Sequence, residues 1–298
     1  MHNSPMRLSV CIPTMNRTQE LKACLEAVWN SSVKPDAVIV SDDSPDVGVQ
    51  QLNRQVVDQF PGTHYLEGPH AGVCANRNNA VNAIATTDTD FVAFIDDDIC
   101  IEPDFVEQAI QHYTALSPEQ QKYTILTGIS RDSEGNESIP VKLSFRGYFC
   151  PAETPEAVDL HSAVFPRSLF TTEQWDEQIF FGYEDAELCL RALKRGYHIQ
   201  YCPALRVQDT CAGKSVLAAS KTGTLTKSQI YVNAARLYVG IKRYKYLFPD
   251  HLKLTAFLGI YFLHITVFLA RKRMLHLLPD IIQQSNGWKL LLSPTSTS

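Results

Sequence analysis

Phe91-Val92-Ala93-Phe94-Ile95-Asp96-Asp97-Asp98-Ile99-Cys100-Ile101-Glu102-Pro103 is the stretch on which the fold turns. An apolar run of strand length stops at three consecutive aspartates, and Ile99 and Ile101 resume before Pro103 ends it. The pattern predicts a buried strand with carboxylates at its carboxyl end. Three adjacent acids repel one another and lose hydration when partly buried, so a divalent cation is their natural partner. A solvated acidic turn is the alternative. The direct interruption of apolar sequence favours a functional site, because open α/β sheets bind ligands at the carboxyl ends of their strands.

Upstream, the chain repeats strand, loop and helix. Arg7 to Ile12 reads as a strand stopped by Pro13-Thr14; Asn16-Arg17-Thr18 then starts a helix in which Leu21, Cys24, Leu25 and Val28 recur at helical spacing. Ala37 to Val40 is a second strand, ending in Ser41-Asp42-Asp43-Ser44-Pro45-Asp46, and Val49, Leu52, Val56, Val57 and Phe60 form the next helical face. Tyr65-Leu66 is a weaker strand, and after the loop Gly68 to Gly72 a helix is expected over Val73 to Ala85. Strands alternating with helices predict a mostly parallel sheet with right-handed crossovers. Both acidic clusters then open on its carboxyl edge.

Downstream, Phe105, Val106, Ala109, Ile110 and Tyr113 mark a helix, Tyr123 to Ile129 a strand and Gly135-Asn136 a turn, while residues 139–155 carry no assignable pattern. Ala157 to Phe170 holds apolar runs and His161, and Thr171-Thr172-Glu173 is expected to open a short helix toward Trp175. Glu184 and Asp185 begin an amphipathic helix that Lys194-Arg195-Gly196 stops. The helix dipole favours carboxylates there as much as catalysis would, so both readings stand. Ile199 to Cys202 is a last strand before Pro203, Thr222 to Lys227 reads as a linker, and Ile230 to Tyr246 as a basic, partly amphipathic helix. Leu254 to Ala270 reaches the minimum length of a membrane span and lies between Lys253 and Arg271-Lys272-Arg273. Aromatics among leucines beside basic residues suit a helix on an anionic leaflet; a helix buried in the globular domain or in a dimer is the other reading. Ser293 to Ser298 reads as disordered.

With 298 residues and 45% hydrophobic content the chain can bury the core of one large domain plus an appendage, divided here as residues 1–212 and 213–298. A formal charge of -5 lacks the basic footprint of a nucleic-acid partner. The eight cysteines stand singly with no CxxC pair, which argues against structural zinc. No basic N-terminus leads into an apolar signal segment, so a cytosolic protein with reduced thiols is expected.

Five motifs then line up. Val10 to Arg17, Val40 to Ser44, Ala75-Asn76-Arg77-Asn78, Phe94 to Asp98 and Gly182-Tyr183-Glu184-Asp185 resemble, in order and spacing, the family-2 inverting glycosyltransferases of GT-A fold. Each motif alone is weak, but the set covers about two thirds of the chain. The segment Phe180 to Arg191 is most similar to the rhamnosyltransferase-like branch. The resemblance implies a mostly parallel α/β sheet flanked by helices, followed by a C-terminal helical extension.

It also implies roles. Asp96 and Asp98 resemble the DxD metal motif, with Asp97 near the ribose or the metal, and manganese or magnesium as cofactor. Asp43 resembles the carboxylate that accepts the N3 hydrogen of a uracil-type base, in a donor pocket lined by Pro13, Thr14, Asn16 and Arg17. Arg77 resembles an arginine placed on the donor diphosphate or base; on its own it would read as a surface charge. Asp185 resembles the base that deprotonates the attacking hydroxyl, with Glu184 fixing the helix start or contacting the acceptor. His161, Trp175, Asp176 and Arg191 are candidates for the acceptor side, each equally explained by structure. One departure stands out: many relatives place a histidine after the strand that follows the Glu-Asp helix, and here Val207-Gln208-Asp209 occupies that place, with Asp209 a substitute ligand for metal or diphosphate.

The expected activity is transfer of a hexosyl or deoxyhexosyl unit from a nucleotide-sugar donor, UDP or dTDP before GDP, to a glycan or lipid-linked acceptor in surface-polysaccharide assembly. The expected setting is cytoplasmic, peripheral on the inner membrane face through the C-terminal helices, with a homodimer as the assembly considered. Two alternatives are carried beside it. A sugar-phosphate nucleotidyltransferase would need a Gly-rich basic loop after the first strand, where Pro13 to Arg17 stands instead. A catalytically silent nucleotide- or glycan-binding subunit would tolerate loss of Asp185.

Overall fold

The computed structural model describes residues 5–85, 88–209 and 225–294. Its strands are β1 (Leu8–Thr14), β2 (Ala37–Asp42), β3 (Thr63–Glu67), β4 (Phe91–Phe94), β5 (Ile99–Ile101), β6 (Thr124–Arg131), β7 (Val141–Leu143), β8 (Phe149–Pro151), β9 (Ala163–Pro166) and β10 (His198–Asp209). The helices are α1 (Thr18–Trp29), α2 (Val47–Val57), α3 (Val73–Asn82), α4 (Phe105–Thr114), α5 (Pro118–Tyr123), α6 (Glu184–Lys194), α7 (Lys227–Lys242), α8 (His251–Arg271), α9 (Leu278–Gln284) and α10 (Gly287–Leu292).

The expected α/β architecture is present. β1 pairs in parallel with β2 and β4, and β2 with β3, so the crossovers α1, α2 and α3 bring four strand ends to one edge. Every residue of β1 is buried, as a strand covered on both faces requires. Its side chains divide the core. Leu8, Val10 and Ile12 pack with α1 and α4 on one face, whereas Cys11 joins α3, α6 and α7 on the other.

Beyond β4 the sheet mixes direction. β9 enters antiparallel between β4 and β6, β10 runs parallel to β6, and β5 turns back along β10, giving the order β3-β2-β1-β4-β9-β6-β10-β5. The unassigned stretch 139–155 contains the β7–β8 hairpin. Two expectations are corrected here. No helix runs from Thr171 to Trp175: a 3-10 turn, Arg167–Thr171, ends there because Leu169 and Phe170 are drawn into the core. Nor does the last strand stop at Pro203; β10 continues to Asp209 past an irregularity between Tyr201 and Arg206, which accommodates a residue without an N–H.

The division expected between residues 212 and 213 lies outside the described residues, as does the first half of the expected linker, residues 222–224. Its end is a cap: Thr226 accepts from the Gln229 amide and Gln229 caps back, starting α7. α7 is buried twice, with Ala235, Tyr238 and Val239 on the sheet and Ala234, Leu237 and Ile241 against α8 and α9. Gly240 permits the second contact, since a Cβ there would stand 2.0 Å from the Phe257 ring. The basic character of α7 is not a solvent face. Arg236 is buried between the rings of Tyr148 and Tyr261, and Lys242 pairs with Asp176 and Glu187.

Candidate active site

β4 leads straight into the acidic turn, and its parallel pairing with β1 sets Thr14 beside that turn. Thr14 Oγ1 donates to Asp97 Oδ2 at 2.6 Å, and Arg17 Nη1 donates to Asp97 Oδ1 at 3.1 Å and also pairs with Asp98. Asp96 points elsewhere. Arg77 Nη2 donates to its Oδ1 at 2.9 Å, and His161 Nε2 lies 3.2 Å from its Oδ2. The same arginine reaches Glu184 Oε1 through Nη1 at 3.0 Å. One guanidinium, 2% exposed and stacked over Trp175, thereby ties the turn after β4 to the first residue of α6.

The electrostatics separate the carboxylates. For Asp96, burial alone would favour the neutral acid, but Arg77 and then His161 hold it well below the usual carboxylate range. Burial outweighs the Thr14 hydrogen bond and Arg17 at Asp97, which is pushed up to about 7. Asp185 is likewise raised to about 7, first by burial and then by the neighbouring charge of Glu184. His161 rises to about 9: burial opposes its charge, yet the hydrogen bond and charge of Asp96 prevail. An acid kept ionised and one poised near neutrality, in one site, suit charge stabilisation and proton transfer respectively.

The second acidic cluster splits into scaffold and pocket. Asp42 is consumed by Ser44 N, Asn53 Nδ2 and Tyr65 Oη. Asp43, whose amide donates to Thr14 O, keeps its carboxylate beside the 68–72 loop, where Oδ1 accepts from the His70 amide at 2.9 Å. Burial raises its pKa. Gly68 makes room: a Cβ there would lie 2.1 Å from Asp43 Oδ1. Three residues around the site, Asn16, His70 and Tyr183, have positive φ, a conformation side chains rarely adopt except where surroundings enforce it.

The fold therefore gathers Thr14, Arg17, Asp96, Asp97, Asp98, Arg77, Glu184 and Asp185, with Asp43 next to Thr14. Pro13 lies opposite Ser41 in the β1–β2 register, and the Asn16 amide donates to Ser44 Oγ. The surface-charge reading of Arg77 is overturned. Asp209 sits opposite Ile99 in the β10–β5 register, which brings it beside the acidic turn. The four acceptor candidates all have structural partners. Trp175 is 1% exposed in a cluster with Phe94, Phe165 and Phe170, a core aromatic with no face for a sugar; His161 serves Asp96. Arg191 pairs with Glu187 and Glu173, and Asp176 holds Tyr238 and Lys242 of α7. His70 is the residue sequence reasoning missed; its only signal was the Gly-Pro-His-Ala-Gly loop.

Whether these residues suit a divalent ion follows from their donors. Among the described residues no three His, Cys, Asp or Glu side chains converge on one point. Magnesium and similar hard cations commonly take one or two carboxylates and complete their shell with substrate phosphates and water. Asp98 fits that mode, and Arg17 supplies the positive charge there in this structure, while both Asp96 oxygens are engaged by Arg77 and His161.

Residues 9–148 match the family described as Glycosyl transferase family 2. The chain is 27% identical over 265 residues to the GalNAc(5)-diNAcBac-PP-undecaprenol beta-1,3-glucosyltransferase of Campylobacter jejuni, a match covering 84% of this chain and 76% of that protein. In structure it is similar to S. aureus TarS 1-349 solved in complex with UDP-GlcNAc, at TM-score 0.56 and 16% identity over 94% of this chain and 82% of the other. It spans 49% of the longer TarS chain. GalNAc-T7 with UDP, GalNAc and Mn2+ superposes at TM-score 0.56 and 12% identity, over 91% of this chain and 58% of that one. At these identities the structural likeness speaks for the fold.

Proposed function

We propose, on the premise that this chain carries a family-2 glycosyltransferase domain of GT-A fold, that it moves one sugar from a nucleotide-diphosphate donor to a hydroxyl of a lipid-linked or glycan acceptor, with inversion at the anomeric carbon. The observation that carries the reading is the pair of hydrogen-bonded ion pairs by which Arg77 holds Asp96 and Glu184. It joins the donor-side acids to the helix that bears Asp185.

In this reading Asp43, set beside the Gly68 loop, accepts the N3 hydrogen of a uracil- or thymine-type base, which favours UDP or dTDP over GDP. Pro13, Thr14 and Asn16 wall that pocket, and Arg17 turns from the aspartates to the diphosphate. A divalent metal, manganese or magnesium, would be held by Asp98 and Asp96 and would supply Lewis-acid stabilisation of the departing diphosphate. Asp185 takes the proton of the attacking hydroxyl. A base with a pKa near 7 is well matched to that task near neutral pH. Glu184, anchored on Arg77, fixes the start of α6 and so aims Asp185.

Support for a lipid-linked acceptor is the relationship to the undecaprenol-linked glucosyltransferase, and for a uridine donor the likeness to a UDP-GlcNAc complex. Hexosyl donors are therefore tested before the deoxyhexosyl donors that the Phe180 to Arg191 resemblance suggests. Surface-polysaccharide assembly on the cytoplasmic face of the membrane is the setting these choices imply.

Titration calorimetry with UDP, dTDP and GDP, each with manganese and then with chelator, tests the donor site. Proton NMR of the transferred anomeric centre tests inversion. Retention of configuration, or no nucleotide bound by the folded protein, would sink the assignment.

A further inference from the structure

α8 is apolar on every side, yet only one side is packed. Leu254, Phe257, Tyr261, Ile265 and Leu269 form the buried stripe against α7 and α9. On the opposite side, Leu252, Thr255, Ala256, Gly259, Leu263, Thr266, Val267 and Ala270 recur at spacings of three and four and all are exposed, Leu252 by 84% and Leu263 by 62%. A surface helix ordinarily carries its charges on that side. This stripe has none along its 21-residue helix, roughly 30 Å of length.

Charge sits at its ends instead. Lys253 at the start is paired with the capping Asp250 at 3.2 Å, Arg271-Lys272-Arg273 stand at the finish, and from Asp250 to Pro294 five Lys and Arg face two acids, Asp250 and Asp280, in a chain of net charge -5. Beyond the triplet, Leu275, Leu278, Pro279, Ile282 and Trp288 line an open apolar groove of about 590 Å³, with Trp288 58% exposed.

We infer that this face of α8, with the basic triplet and the adjoining groove, is a docking surface for an anionic lipid bilayer, on which the helix lies in the plane of the interface. Apolar residues enter the acyl boundary, basic residues meet lipid phosphates, and Trp288 suits the interfacial zone. The helix does not cross the membrane, because its other side belongs to the protein core. A second copy of the chain is a poorer occupant. Pairing two stripes antiparallel brings Lys253 of one toward Arg271 to Arg273 of the other, and pairing them parallel brings the triplets together; both arrangements repel. This surface goes beyond the catalytic reading and is measured without any sugar transfer.

The test is co-sedimentation of the full chain with phosphatidylcholine vesicles and with vesicles that also contain phosphatidylglycerol, without nucleotide. Binding is expected to the anionic vesicles and to fall with added salt. Leu263→Asp with Val267→Asp should abolish it, while Arg271→Ala and Lys272→Ala should each weaken it about fivefold. Circular dichroism and thermal melting of the variants check that exposed-side substitutions leave the fold intact. The inference is overturned if the wild type stays in the supernatant, if the folded variants bind as well as wild type, or if light scattering shows a dimer that Leu263→Asp dissociates.

Discussion

Arg77 and Glu184 stand 107 residues apart in sequence and meet at 3.0 Å, Nη1 to Oε1, with the guanidinium over the Trp175 ring. The other η nitrogen is on Asp96, so removing the guanidinium leaves Glu184 without its cation and Asp96 with His161 alone. Arg77→Ala is expected to destabilise the fold by about 3–5 kcal/mol, the cost typical of breaking a buried pair from one side. Arg77→Lys should recover only part, because one ammonium cannot span both partners as a planar fork does. Denaturant unfolding midpoints compare the two, and equal stability of Arg77→Ala and wild type would contradict the bridging role.

Asp185 gives a pH signature. Turnover should rise with pH up to about 7 and then level, since only the ionised carboxylate accepts a proton. Asp185→Asn should lower turnover about 10²–10⁴-fold with donor binding kept, and remove that limb. Stability moves oppositely. The folded value lies above the ordinary carboxylate value of about 3.9, so this group's contribution is full below that pH and lost as pH rises through about 7. Asp185→Asn should flatten that part of the stability curve.

Gly68→Ala acts on the proposed nucleoside pocket. Its Cβ would meet Asp43 Oδ1 at 2.1 Å and Asn76 Oδ1 at 2.8 Å, so the carboxylate must move. The expected outcome is weaker nucleotide binding in calorimetry with the α/β fold retained in circular dichroism. Asp43→Ala should show the same loss, and unchanged affinity in both would remove Asp43 from the base contact.

If Asp98 holds the metal as proposed, Arg17 and the cation compete for it. With the guanidinium gone, Arg17→Ala should bind manganese more tightly than wild type when no nucleotide is present, and more weakly benefit from it when diphosphate is added. Asp98→Asn should lose metal-dependent nucleotide binding. Manganese paramagnetic resonance reads the first effect directly.

Trp175 separates core from acceptor contact. Trp175→Ala should cost about 3–5 kcal/mol through the cavity it leaves among Phe94, Phe165 and Phe170. Trp175→Phe should keep the acceptor KM. A raised KM in that stable variant would return Trp175 to the acceptor side.

Much of this was legible in the linear chain. Apolar runs that stop at Thr14, Asp42 and Asp96 announce strands buried on both faces, and acids at their ends announce a site, because local hydrophobic pattern decides burial. β9 was not legible: four residues, Ala163 to Pro166, are too few for periodicity, and only their partners in β4 and β6 make them a central strand. The basic residues of α7 misled for a related reason, since their acidic partners Asp176 and Glu187 lie on other elements. His161 shows the same limit, as no local signal links it to an aspartate 65 positions earlier.

The sequence by itself determined the alternating strands and helices up to β4, which acids stand at the sheet's carboxyl edge and which family the chain resembles, all properties of short-range pattern and motif order. Only the tertiary structure decided that Arg77 is an internal bridge, that Trp175 is core, that His161 belongs to Asp96, and that one side of α8 stays open. Those outcomes depend on which side chains meet across long sequence separations, and burial and pairing of charge are settled by such meetings alone.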